Sequence, residues 1–346
     1  MDRRNNFDAV RLVAATSVIF SHAFLIGEGR QDSEPLMRLT GGQTIFGVVG
    51  VFVFFTISGF LITHSFETTH SPARFAAKRA LRIYPGLFVC LLLSAFVLGP
   101  WASKLPVTEY FRHREIYTYV VSNLIMIIPT NTLPGVWFTD FSAGGVINGP
   151  LWTLPCEVAM YLMVMVLGML RLLDLRVIAV LIAIGVAGIW FDTASSYYFV
   201  GSTLWLLAFF AAGMSLYLLR ERGIFRWQFA VAAAAILAVS IPLKSFILLF
   251  PFSGSYLVIY LALHPRLPAI PAARFGDLSY GLYIYGWPVE QMLVQLNGYS
   301  MPWPKLFALA FPITAGLAFL SWRFVEARAL RFKPKAAASV RRQPAP

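Results

Sequence analysis

Charged residues are scarce in this 346-residue chain. Asp, Glu, Lys and Arg make up 13% of it and hydrophobic residues 58%, against about 25% and about 45–50% in soluble domains. That excludes an ordinary soluble protein, because too little polar surface remains to cover 30 Phe, 14 Tyr and 9 Trp. Cysteine is nearly absent: Cys90 and Cys156 both fall inside apolar runs, which excludes a disulfide framework and a thiolate metal site. The chain also lacks an H-E-x-x-H metal motif, a Gly-rich phosphate loop and a nucleophile elbow. The four histidines other than His22, at positions 64, 70, 113 and 264, lie in or near loops without ligand spacing, so no metal is expected. Heptads, Gly-Ser linkers and low-complexity runs are missing. The expectation is one all-α transmembrane domain over 1–330 and a short basic cytoplasmic tail over 331–346.

The formal charge of +12 comes from basic residues in short clusters between apolar runs. No basic face or arm is formed, which argues against nucleic acid and leaves the lipid bilayer as the surrounding partner. Apolar runs near the ~20-residue spanning length occur at 10–26, 44–63, 83–101, 151–170, 177–191, 198–219, 224–241, 246–263, 278–296 and 306–324. They predict a bundle of about ten transmembrane helices. With both termini in the cytoplasm, 21 Lys and Arg fall inside and seven outside, the bias that the positive-inside rule requires. The apolar stretch 117–128 is too short to span and reads as re-entrant or interfacial; a crossing there would reverse the bias of every later loop.

An ionisable side chain inside a span needs a partner, a wet cavity or a function. In the first helix Arg11 and His22 are eleven residues apart, three full turns plus about 20°, so they share a face about 16 Å apart along the axis. Arg11 reads equally as a snorkelling inside residue and His22 as a helix-packing histidine. Glu157 lies about two turns into the fourth predicted span, near the depth of His22. That suggests a paired acid/base unit or a structural polar pair. Arg79 and Arg82, spaced i, i+3, could grip phosphates or serve orientation alone. Ser58 and Gly59 in GVFVFFTISGFLI read first as helix packing. The tyrosines of SYGLYIYGWP (279–288) suit a cavity wall or the interfacial belt.

Together, and in this order, Arg11 with His22, GVFVFFTISGFLI, Arg79 with Arg82, and LWTLPCE ending at Glu157 resemble the membrane-bound acyltransferase family 3 from Asn6 to about Arg328. The family includes O-acetyltransferases of O-antigen, exopolysaccharide and nodulation factors. The resemblance implies a ten-helix enzyme of the bacterial inner membrane. It would carry an acyl group, usually acetyl, from cytoplasmic acyl-CoA (acetyl-CoA) to a hydroxyl of a carbohydrate or glycolipid acceptor outside. It implies functional roles for Arg11, His22, Arg79 and Arg82.

Two positions depart from the family pattern. Gly286 stands where the ninth helix often has His, which puts a catalytic part for that helix in doubt. Arg328 replaces the proline of W-x-F-V-E-x-P. The expected division of labour has Arg79 and Arg82 on CoA phosphates and Arg11 neutralising the phosphate or pantetheine end. His22 is the general base and Glu157 orients it. Direct transfer is favoured over an acyl-histidine intermediate. A glycolipid or polysaccharide-precursor flippase using the same polar stripe is the rival.

Overall fold

Local signals mark the ends of several apolar runs. Helix α1 (Phe7–Glu28) has Asp8 in its first turn and ends at Gly29, whose left-handed φ of 73° lets its N–H close onto the Leu25 carbonyl. Helix α2 is Phe46–Thr69. Helix α3 (Pro72–Leu93) starts with Pro72 in its first turn and the Ser71 hydroxyl accepting from the Arg74 N–H. A π turn at Ser94–Leu98 carries it on to Ala102. There follow α4 (Arg114–Ile125), α5 (Thr153–Met169), α6 (Leu175–Phe191), α7 (Tyr198–Leu219), α8 (Trp227–Ser240), α9 (Ser253–Leu263), α10 (Ser279–Leu296) and α11 (Trp303–Ser321). A second π turn, Trp322–Glu326, and two short turns extend α11 to Phe332.

The structure is a computed structural model and describes residues 5–69, 71–126, 129–139, 141, 143–191, 198–264 and 276–334. Among the described residues there is no β-strand, only an isolated bridge between Ser103 and Val136.

All ten predicted runs fall on helix, but they are unequal. Six stretches are long and apolar enough to cross a membrane: Phe7–Glu28, Phe46–Thr69, Pro72–Ala102, Gly149–Met169, Thr203–Arg222 and Trp303–Phe332. Helices α6, α8 and α9 are apolar but shorter. The expected span 246–263 is broken in two, ending at Leu249 and restarting at Ser253, because Pro251 has no N–H to continue the ladder. The expected span 224–241 begins only at Trp227, after Gly223 turns the chain at a φ of 66°. Helix α10 has its predicted length, but Glu290, Gln291 and Gln295 dilute its apolar character. The stretch 117–128 lies largely on α4, whose 12 residues extend about 18 Å, short of the ~30 Å hydrocarbon core. Residues 127–128, His70 and the tail from 335 lie outside the described residues.

Helix α2 is flanked by α1 and α7, and α10 by α1 and α11. The α2–α7 approach depends on glycine: the Phe210 carbonyl fills the place of a Cβ on Gly59, and the Thr56 carbonyl that of one on Gly213. Val13, Val97, Val180 and Trp190 are exposed on the outside, a surface suited to lipid rather than water. Since α1 has α2 on one flank and α10 on the other, its polar residues meet both.

Candidate active site

A cavity of about 230 Å³ is enclosed by α1, α2, α3, α5 and the start of α10. Its charged lining is Arg11, Arg79, Arg82, Glu157 and Lys333, with Phe54, Ser58, Thr153, Tyr161, Tyr280 and Tyr283 among the remaining walls. This volume is smaller than the roughly 300–1,000 Å³ of most ligand pockets, so it suits a narrow chain rather than a whole nucleotide. At one end the Tyr283 ring packs edge-on to Phe54, centroids 5.6 Å apart. Its hydroxyl pairs with Thr153 at 2.7 Å and donates to the Pro150 carbonyl at 3.1 Å.

The i, i+3 spacing does place Arg79 and Arg82 together on the cavity wall, but in different circumstances. The Arg82 guanidinium donates to Asp277 at 2.5 Å and to Glu326 at 2.9 Å. It also lies over the rings of Tyr280 and Trp322 at 5.3 and 5.9 Å. Glu326 further accepts from the Ser321 hydroxyl, Asp277 from Ser279, and Arg11 reaches Asp277 at 3.4 Å. Burial pushes the Asp277 carboxyl up, but Arg82 and Arg11 more than offset this and hold it at about 2. Arg82 thus joins the α3 motif to Glu326 of WRFVEAR and to the loop before α10. With Arg328 in place of proline the backbone stays helical over Ala327–Ala329. Arg79, by contrast, has no ion pair among the described residues, and its Nε–H is buried without an acceptor.

The expected pairing of His22 with Glu157 is corrected. Glu157 accepts hydrogen bonds from Ser58 at 3.2 Å and from Tyr161, one turn along α5. Ser58 therefore belongs to the polar wall, while its neighbour Gly59 does the packing. The carboxylate beside His22 is Glu290, with Nδ1 and Oε2 3.7 Å apart. Glu290 is fully buried, and neither of its oxygens has a hydrogen-bond partner. The separation exceeds a hydrogen bond, as catalytic pairs often do before substrate draws them together. Sequence reasoning passed over Glu290, although a carboxylate inside the predicted span 278–296 was the available signal.

The ninth predicted helix is therefore part of the site despite Gly286. That glycine lies against Ile19, where a Cβ would come within 2.9 Å, so it permits the α1–α10 approach that brings Glu290 to His22. Proline organises the same stretch. Pro288 has no N–H for the Ile284 carbonyl, which instead accepts from Asn148 Nδ2 at 2.8 Å and from Cys90 Sγ at 3.2 Å. Gln291 donates to the carbonyls of Ala143 and Val146, and Trp287 donates to Val146 while its ring stands edge-on to His22 at 4.8 Å. Helix α10 thereby fixes both the imidazole and the loop before Gly149. Among the described residues no group of three or more His, Cys, Asp or Glu could hold a metal ion.

A family model described as an acyltransferase domain matches residues 4–323. An O-acetyl transferase of Shigella phage Sf6 is 30% identical over 353 residues, covering 97% of this chain and 99% of its own. Nodulation protein 10 of Rhizobium leguminosarum bv. viciae is 29% identical over 365 residues, covering 95% of this chain and 94% of its own. No solved structure matches the chain. With membrane-length apolar helices around a polar cavity, and this match over nearly its whole length, the chain belongs to the membrane-bound acyltransferase family 3.

Proposed function

We propose that the protein moves an acyl group, in the first instance acetyl, from cytoplasmic acyl-CoA to a hydroxyl of a carbohydrate or glycolipid at the outer side of the bacterial inner membrane. The observation that carries this reading is the arrangement along α1: Arg11 lines a cation-walled cavity, and His22 faces a buried carboxylate about 16 Å further along the axis. A donor with phosphates at one end and a thioester on a long flexible arm matches that polarity. The name of the phage relative supports acetyl transfer to oxygen.

Nδ1 of His22 faces Glu290, which leaves Nε2 to accept the proton of the acceptor hydroxyl. The hydroxyl oxygen then attacks the thioester carbonyl. A C–O bond forms, the C–S bond breaks, and the proton held by His22 passes to the departing thiolate. Direct transfer requires only proximity and a base. Glu157 is assigned to the wall that receives the thioester arm, through Ser58 and Tyr161, and Arg11 and Arg79 to neutralising the donor's charge. Arg82 supports them through the carboxylates it holds.

Purified protein in vesicles containing cell-envelope glycolipid, given acetyl-labelled CoA, is expected to release free CoA and place the label in an ester. Movement of glycolipid across the bilayer with the thioester intact would overturn the reading in favour of a flippase.

The orientation has its own test. A cysteine at Thr132 is expected to react with an impermeant reagent from outside only, and a reporter fused at Pro346 to be active only in the cytoplasm. The opposite pattern refutes an even number of crossings with both termini inside.

A further inference from the structure

We propose that Lys333, which follows the last turn of the α11 extension, is a phosphate ligand of the donor site together with Arg79, and that Arg82 is the positioning residue that delivers it there. The inference rests on the acyl-CoA reading above and divides the basic residues of the cavity by what each already touches.

Four cations line the cavity: Arg11, Arg79, Arg82 and Lys333. Two of them face carboxylates. Arg82 spans Asp277 and Glu326, and Arg11 shares Asp277. Arg79 and Lys333 have no ion pair among the described residues. Nearby Lys78 is turned away to the Thr69 hydroxyl at 3.0 Å. Glu157, on the same wall, is the remaining carboxylate and acts on Arg79 through space, so four cations stand against three carboxylates and one positive charge is left in excess, a balance that calls for an anion. Burial, and then the cations of Arg79, Arg82 and Lys78, lower the Lys333 ammonium below its ordinary range, the strain that a bound phosphate would relieve.

The chain geometry explains how a residue after the last helix reaches this wall. The π turn Trp322–Glu326 rotates Glu326 inward to Arg82. From that anchor the chain makes two short turns over Ala327–Ala329 and Leu330–Phe332, and Lys333 comes next. The Arg82–Glu326 bond thus fixes the segment that carries Lys333. The chemistry recognised is a phosphate monoester or diphosphate on the cytoplasmic part of the donor, while the pantetheine arm occupies the narrow cavity.

The test measures equilibrium binding of CoA and of pantetheine, which has the arm without phosphates, to the full-length protein in nanodiscs. Lys333→Gln is expected to weaken CoA binding about ten-fold, the effect of losing one charge-assisted contact, and to leave pantetheine binding unchanged. Lys333→Arg is expected to retain most of the affinity. Arg79→Gln should show the same CoA-selective loss. CoA binding by Lys333→Gln equal to that of the unaltered protein overturns the assignment of Lys333 while leaving the donor reading in place, provided Arg79→Gln is impaired. Equal losses for CoA and pantetheine would make Lys333 structural and overturn it as well. An unaltered protein that ignores CoA overturns both readings.

Discussion

His22→Gln is expected to lower acyl transfer by about 10²-fold or more, while membrane insertion and CoA binding stay close to those of the unaltered protein. Glutamine keeps roughly the size of the side chain and a hydrogen-bonding tip, but it cannot take up the acceptor's proton. The donor contacts assigned to Arg11, Arg79 and Lys333 line a cavity whose walls do not include His22, and should not notice the change. Glu290→Gln is the companion experiment. Its carboxyl group lies 3.7 Å from Nδ1; under the proposed mechanism it holds the ring by that nitrogen while Nε2 takes the proton, and its loss is expected to cost about ten-fold and to shift the pH profile of turnover. Glu157→Gln, whose partners are Ser58 and Tyr161, should act mainly on the donor's KM. Turnover by His22→Gln near that of the unaltered protein would return His22 to a packing role against Trp287. A larger turnover loss in Glu157→Gln than in Glu290→Gln would reinstate Glu157 as the residue that orients the ring.

The contrast between those two carboxylates shows what a sequence of this kind can convey. Depth in the membrane follows from counting residues at about 1.5 Å each, and by that count Glu157 stood near His22. Rotation about the helix axis decides which neighbour a side chain meets, and it depends on packing between segments far apart in the chain. Tyr161, one turn below Glu157, and Ser58 on α2 turn that carboxylate to the cavity wall. The partner of His22 comes instead from 268 residues further along, on a helix held close to α1 at Gly286 and Ile19. Helix positions were legible because the apolar runs approach spanning length, and at some ends because of a boundary signal, such as Ser71 with Pro72 or Gly29. Spanning length was less so: Pro251 was in plain view inside the run 246–263, yet an average over that run smooths it away. The Arg79 and Arg82 pair was visible as a pattern. Its division into an unpaired cation and a clamp depends on Asp277, in a loop with no helical signal, and on Glu326 at a π turn.

That clamp gives the second large effect. Arg82→Ala is expected to destabilise the protein by about 3 kcal/mol. This is the low end of the roughly 3–5 kcal/mol for removing one partner of a buried ion pair, chosen because the Arg82 side chain keeps 15% of its exposure. Two carboxylates would lose their shared partner. Glu326 would retain only the Ser321 hydroxyl, and Asp277 only Ser279 and Arg11 at 3.4 Å. Because the Asp277 carboxyl is held at about 2 against an ordinary 3.8, its share of the clamp is fully present above about pH 4. That share fades only as the pH falls through about 2, so the effect should be undiminished at neutral pH. Arg82→Lys should recover part of the loss, since one ammonium cannot make the two-sided fork. Adding Glu326→Gln to Arg82→Ala should cost less than the sum of the single changes, because a neutral amide no longer leaves a buried charge unpaired. Thermal unfolding in detergent, read beside CoA affinity, separates the clamp from the alternative. An Arg82→Ala variant with an unchanged midpoint, but CoA binding as weak as that of Arg79→Ala, would make Arg82 a phosphate ligand in its own right and remove the basis for assigning that role to Lys333.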